Sequence, residues 1–265
     1  MSKKLSGICI LGILLFGCAT SPLGRKQLIL VSDSQMNSMG AQAFQEMRVK
    51  EPIEHQSHIN QYVQCIVRPL VLKAKGQTPV ENWDVVVFSK DEANAFALPG
   101  GKIGVYTGLF KTAKTDAQLA AVIGHEIGHV IARHGAERVS QQASTQIGLA
   151  ALGAITPDNP KKDLLVGLLG VGVQVGILLP FSRTQESEAD MIGLKLMARA
   201  GFDPRQSVEL WKNMLENSRG KVPPQILSTH PASENRIHAL EGKMDEVLPI
   251  YDQAKREGNL PSCHL

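Results

Sequence analysis

The pentapeptide His125-Glu126-Ile127-Gly128-His129 constrains this chain more than any other stretch. On a helix, side chains four apart differ by about 6 Å of rise and roughly 40° of azimuth, so both imidazoles reach one metal ion. Glu126 then stands about 100° round the helix, beside the ion, where a general base has to be. The flanks, Leu119 to Ile123 and Val130 to Ala132, are apolar throughout. A buried helix carrying three ionisable groups needs a partner for them, and a divalent cation is one. Thr115-Asp116-Ala117-Gln118 reads as a capping box and predicts a helix from about 116 to 140. On that continuous helix His134, five residues past His129, faces about 140° away and reads as a structural histidine.

With 265 residues, 43% of them hydrophobic, the chain can build a sizeable core around this helix. Aromatics are only 5%, which favours closely packed helices over a β-sandwich and an α+β, mostly helical fold. Apolar residues recur at helical spacing from Ser34 to Lys50 and from Ser57 to about Lys75, with Pro69 predicting a kink or a break in the second. Trp83 to Ser89 is dense in β-branched residues; Asn94 to Leu98, the turn Pro99-Gly100-Gly101, and Lys102 to Tyr106 read as strand, turn, strand. A small β-sheet therefore precedes the motif helix. Its edge either receives an extended peptide through backbone hydrogen bonds or is a plain hairpin in the core.

Lys3 and Lys4 followed by the apolar run Leu5 to Phe16 read as a secretory signal. The run ends Leu15-Phe16-Gly17-Cys18, similar to a bacterial lipobox, in which Cys18 becomes a lipid-modified N-terminus; a plain signal peptide with an incidental cysteine is the alternative. This divides the chain into a signal peptide (1–17), a lipid-anchored tether (18–32), a catalytic domain (33–248) and a C-terminal tail (249–265). Ala19 after that cysteine suggests, by similarity to lipoprotein sorting, an outer-membrane lipoprotein facing the periplasm. The formal charge of +3 falls further when Lys3 and Lys4 leave, which is no footprint for nucleic acid. Cys65 and Cys263 remain after processing, and in an oxidising periplasm they form either a disulfide or two free thiols, which spacing cannot decide.

Residues 144–180 are rich in Gly, Ala, Leu and Val, and Leu164 to Phe181 is an 18-residue run without a charge. It reads as a helical hairpin over or beside the site, with a membrane span as the alternative. Ser182-Arg183-Thr184-Gln185 is a second capping box, opening a helix that carries Glu186-Ser187-Glu188-Ala189-Asp190. Glu186 and Asp190 share a face, whereas Glu188 points about 200° from Glu186. The geometry that uses both puts Glu186 on the ion as third ligand and Asp190 behind it, holding a ligand imidazole in its tautomer. Asp203-Pro204 starts a further helix that turns Leu210, Trp211 and Met214 inward, and Ser233 to about Val247 forms the last; beyond Pro249 only Cys263 constrains the tail.

Taken together, Asn94-Ala95-Phe96-Ala97 with Pro99-Gly100-Gly101, His125 to His129, Ser182-Arg183 with Glu186 and Ala189-Asp190, and Thr229-His230-Pro231 with Arg236 resemble the gluzincin metallopeptidases of the CAAX prenyl protease type I and HtpX-like family. The soluble bacterial lipoprotein and mitochondrial OMA-type branches are the most similar. The resemblance implies a zincin-like domain holding one Zn2+ per chain on His125, His129 and Glu186, with Glu126 as base. It further implies Asn94 to Ala97 as the substrate-binding edge, His230 as a donor to the oxyanion, and Arg236 pairing with Glu186 or Asp190. Implied substrates are unfolded or misfolded envelope proteins, with outer-membrane assembly machinery as a partner. The rival readings are a latent protease acting mainly as a chaperone or assembly factor, and an integral-membrane protease for prenylated tails, which the shortage of spanning segments disfavours.

Overall fold

The computed structural model describes residues 18–155, 181–218 and 225–265. The described chain opens with an antiparallel pair, β1 (Cys18–Thr20) and β2 (Lys26–Leu28). Helices α1 (Asp33–Lys50) and α2 (Ser57–Ala74) follow. Helix α2 continues through Pro69, where sequence predicts a kink or a break; burying Val63, Ile66, Val67 and Leu70 along one face outweighs the lost hydrogen bond. Strands β3 (Asp84–Phe88), β4 (Ala95–Leu98) and β5 (Lys102–Tyr106) form a sheet of order β3-β5-β4, with β5 parallel to β3 and antiparallel to β4. The β4–β5 turn places Gly100 and Gly101 at φ of 79° and 73°, and the topology leaves β4 at an edge.

A short 3-10 turn leads into α3 (Asp116–Ile131), then α4 (His134–Ile155), α5 (Arg183–Arg199), α6 (Arg205–Ser218), α7 (Ile226–Thr229), α8 (Glu234–Glu241) and α9 (Met244–Arg256). The architecture is a mostly helical α+β fold with α3 at its centre. Leu119, Ile123 and Ile127 of α3 pack between Ile66 and Leu70 of α2 and Leu196 and Met197 of α5, all seven fully buried. Phe44, Phe88, Phe96 and Tyr106 form a second, smaller cluster that seats α1 on the sheet.

Helices α3 and α5 cross in backbone contact. A Cβ on Gly128 would lie 2.7 Å from the Ala189 carbonyl oxygen, and one on Gly193 would lie 2.8 Å from the His125 nitrogen. This crossing sets the two motif histidines against the carboxylates of α5. Gly128→Ala is therefore expected to destabilise the metal-free protein by about 1–3 kcal/mol, since neither backbone can yield. The urea midpoint of the metal-free protein measures it, and an unchanged midpoint would show that the crossing is not tight.

Four further expectations are corrected. The motif helix does not run to 140: it ends at Ile131, and Arg133 adopts φ of 57° before α4 begins at His134. No glycine or proline signals this break. Tertiary partners hold it, as Gln27 Nε2 donates to the Ala132 carbonyl at 2.8 Å and Arg133 pairs with Asp33 at 2.6 Å. The 18–32 stretch is not a free tether, because its hairpin packs on α4 with Gln27 buried. The last helix is two, separated at Gly242-Lys243. The chain past Pro249 is ordered, as α9 continues through that proline to Arg256 and a Cys65–Cys263 disulfide fastens the end to α2. Among the described residues no helix is long and apolar enough to cross a membrane. The signal segment and the question of a hairpin or a span at 156–180 lie outside the described residues.

Candidate metal centre

Two helix starts aim the site. Ser182 and Gln185 cap α5 reciprocally, so Glu186 lies in its first turn, facing α3. At α3 only half the expected box forms: Thr115 Oγ1 accepts from Gln118 N, while Gln118 Oε1 takes the Lys114 amide instead. The third contributor is His230, delivered by the turn after α7.

His125, His129, Glu186 and His230 are all buried, and each offers one ligand atom within 4.8 Å of the others. His125 Nε2 lies 3.1 Å from both His129 Nε2 and His230 Nδ1. Glu186 Oε1 lies 3.4 Å from His129 Nε2 and 2.9 Å from His230 Nδ1. Four ligands at about 2.0–2.1 Å from one ion in a tetrahedron stand about 3.3 Å apart, so these separations fit a metal. Three imidazole nitrogens turned on one point cannot all donate to each other, which is a further reason to place a cation between them. A nitrogen-rich set with one carboxylate suits zinc.

The surrounding electrostatics follow from the burial. Burial alone would push the His125 imidazole down, but Asp190 and Glu186 against it reverse the shift, to about 9. For His129 burial prevails, and its pKa falls well below the usual histidine range. Burial raises the Glu186 carboxyl, yet the imidazoles around it hold it far below the ordinary range. Asp190 Oδ1 lies 2.9 Å from His125 Nδ1, and Arg236 forks onto Asp190 through Nε at 2.8 Å and Nη2 at 2.6 Å. Arg236 Nη1 also stands 2.8 Å from Glu186 Oε2, and its guanidinium lies 3.6 Å over the Trp211 ring. One arginine thus ties α8 to both carboxylates, where sequence left open which of them it would meet.

Glu126 is buried, its Oε1 without a hydrogen-bond partner and 3.3 Å from His230 Nε2. A buried carboxylate oxygen kept unsatisfied beside a metal-ligand cluster is placed to take a proton from something that enters. A cavity of about 90 Å³ bordered by Met36, Ala97, Leu98, His129, Val130 and Phe181 reaches from the β4 residues to His129 of the cluster. Of the four residues expected on that edge, Ala95 and Phe96 bury their side chains in the two cores and the Asn94 carbonyl accepts from Tyr106 N. The outer backbone of β4 and the half-buried side chains of Asn94 and Ala97 remain for a ligand. Sequence reasoning missed Phe181, which stacks on His129 at 3.9 Å beneath the Arg138 guanidinium. His134, read from sequence as a structural histidine, and Glu188, read as pointing away from Glu186, are both buried next to the site.

The description of peptidase family M48 matches residues 57–244, well over half of the chain. The chain belongs to peptidase family M48. Among the relatives of this M48 member, the mitochondrial metalloendopeptidase OMA1 of Arabidopsis thaliana is 40% identical over 181 residues, covering 67% of this chain and 36% of the relative. OMA1 of Schizosaccharomyces pombe is 41% identical over 179 residues, covering 66% and 49%. The beta-barrel assembly-enhancing protease of Escherichia coli (strain K12) is 30% identical over 235 residues, covering 86% and 47%. This M48 chain thus spans half or less of the length of these curated relatives. The zincin-like, mostly helical domain expected from the motifs is the one the fold and the family agree on.

Proposed function

We propose that this M48 protein is a zinc endopeptidase, anchored by lipid at Cys18 and facing the periplasm from the outer membrane, that hydrolyses unfolded or misfolded envelope proteins. The observation that carries the reading is the unsatisfied, buried Glu126 beside four convergent ligand atoms, whose member His129 borders a cavity that also touches the edge strand β4. His125, His129 and Glu186 hold the metal, and Asp190 and Arg236 keep His125 and Glu186 in place. Zinc, when bound, polarises the scissile carbonyl and lowers the pKa of water from about 15.7 to about 7. Glu126 takes the proton of the attacking water and later gives it to the leaving amine. His230 donates to the developing oxyanion. Backbone pairing along β4 is indifferent to side chains, which suits extended and unfolded substrates. The family, together with relatives named as metalloendopeptidases and as a beta-barrel assembly-enhancing protease, supports quality control of envelope proteins and outer-membrane assembly machinery as a partner.

Incubating the zinc-loaded protein with one substrate in folded and unfolded forms tests this. Fragments from the unfolded form alone, abolished by chelation and restored by zinc, are expected; cleavage that survives chelation would sink the metal reading.

One observation favours a second reading, a latent protease acting mainly as a chaperone or assembly factor. His230 Nδ1 lies inside the ligand cluster, which closes the position a hydrolytic site keeps open for water. His230→Ala separates the two. Loss of an oxyanion donor lowers turnover by about 10²- to 10³-fold with zinc retained, which is the expected result. A rise in turnover would mark His230 as the group that keeps the site shut.

A further inference from the structure

The break after α3 brings back a histidine that a continuous helix would send away. His134 is fully buried, and its Nδ1 lies 2.9 Å from Nδ1 of His129. Its other nitrogen, Nε2, lies 3.1 Å from Glu188 Oε2. The same carboxylate oxygen accepts from Arg25 Nε at 2.9 Å, and Arg25 is itself gripped by Glu137 through Nη1 and Nη2, each at 2.6 Å. Glu137 is buttressed in turn by Gln185 at 2.8 Å and Gln27 at 3.2 Å.

The donors and acceptors in this row have one consistent assignment. If His129 gives its Nε2 lone pair to the metal, the ring proton is on Nδ1 and must be donated. The facing atom is His134 Nδ1, which accepts only as the tautomer protonated at Nε2. That Nε2–H then donates to Glu188, a carboxylate that only accepts. Arg25 supplies the compensating positive charge, since Glu188 and Glu137 are both buried. A reversed tautomer at either histidine would set two N–H groups against each other, or leave the carboxylate without its donor.

We propose that His134 is a positioning residue for the metal ligand His129, and that Glu188 and Arg25 hold it in the tautomer this requires. The amino-terminal hairpin is then part of the metal site: Arg25 links it to Glu188, and Gln27 caps the Ala132 carbonyl where α3 ends. His125 has the Asp190–Arg236 pair behind it, and His129 has this second, longer row reaching the amino-terminal hairpin. The segment next to Cys18 is coupled through it to the affinity of the site for its ion.

The inference rests on the metal reading of the site, and its test reads metal affinity rather than hydrolysis. The full chain, stripped of metal, is titrated with zinc against a chromophoric chelator, and its thermal midpoint is recorded without metal. His134→Phe keeps the ring volume and removes both hydrogen bonds; it is expected to weaken zinc about 10- to 100-fold, the range for losing such a partner. His134→Asn, whose amide oxygen can replace the ring Nδ1 as acceptor, is expected to bind more tightly than His134→Phe. Arg25→Met, remote from the ion, is expected to weaken zinc while the protein stays folded. A folded His134→Phe within about twofold of wild type overturns the inference. So does equal weakening in the Phe and Asn variants, which would mean packing alone. Should His134→Phe fail to fold, Arg25→Met decides, and an unchanged affinity there overturns the inference. Wild-type protein that takes up no zinc would overturn the metal reading itself and this inference with it, whereas uptake unaffected by the variants removes this inference alone.

Discussion

Replacing Glu126 by Gln is expected to lower turnover on an unfolded protein by about 10²- to 10⁴-fold while zinc stays bound. The substitution is close to isosteric, so the packing of α3 against α5 is preserved, and the amide occupies the space of the buried carboxylate. An amide cannot accept the proton of an attacking water. It can still donate to or accept from His230 Nε2, 3.3 Å away, so the ligand cluster should not rearrange. The measurement is the cleavage rate together with the zinc content of the same sample. A Glu126→Gln variant that cuts at the wild-type rate would remove Glu126 from the chemistry. If neither form cuts although both bind zinc and an unfolded substrate, the latent reading gains, and the closed His230 position is the place to look for the cause.

Removing the disulfide with Cys65→Ser and Cys263→Ser together is expected to cost about 5 kcal/mol, because the bridge closes a loop across 198 residues of sequence. The bond ties the C-terminal end to α2, and the Cys263 amide reaches Asp116 in the first turn of the motif helix at 3.4 Å. Without it, α9 retains its buried residues Val247 and Ala254, the packing of Ile250 and Tyr251 on the core, and its contact with α5, including Lys195 with Glu246. Urea unfolding of the double variant, in metal-free form, measures the loss. A midpoint equal to that of the unmodified protein would show that the end of the chain contributes nothing to stability. Alkylation of the native protein before and after reduction checks the bridge directly.

The sequence by itself determined the parts of this protein that local rules can carry. Apolar periodicity located α1 and α2, the β-branched runs and the paired glycines located the sheet, and the capping signals at Thr115 and Ser182 placed the starts of both site helices. Two histidines four apart on one helix face, and two carboxylates four apart on another, are likewise statements about helical geometry. They pointed to His125, His129, Glu186 and Asp190 before any distance was known. Cys65 and Cys263 were visible as a pair of candidates, but their meeting depends on α9 returning the chain to α2.

Only the tertiary structure decided the rest, because long-range partners overrode the local signal. The break at Ala132-Arg133 carries no glycine; it exists because Gln27, 105 residues earlier, caps a carbonyl and Asp33 pairs with Arg133. That break turns His134 from a structural histidine facing away from His129 into its neighbour, and it brings Glu188 and Arg25 into the same row. The choice for Arg236, which proved to meet both carboxylates, and the position of His230 among the ligand atoms were likewise settled by how α7 and α8 fold back over α3. Periodicity describes one element against itself. Where two buried charges meet is decided by the need to satisfy each of them once water has gone, which is a property of the packed molecule.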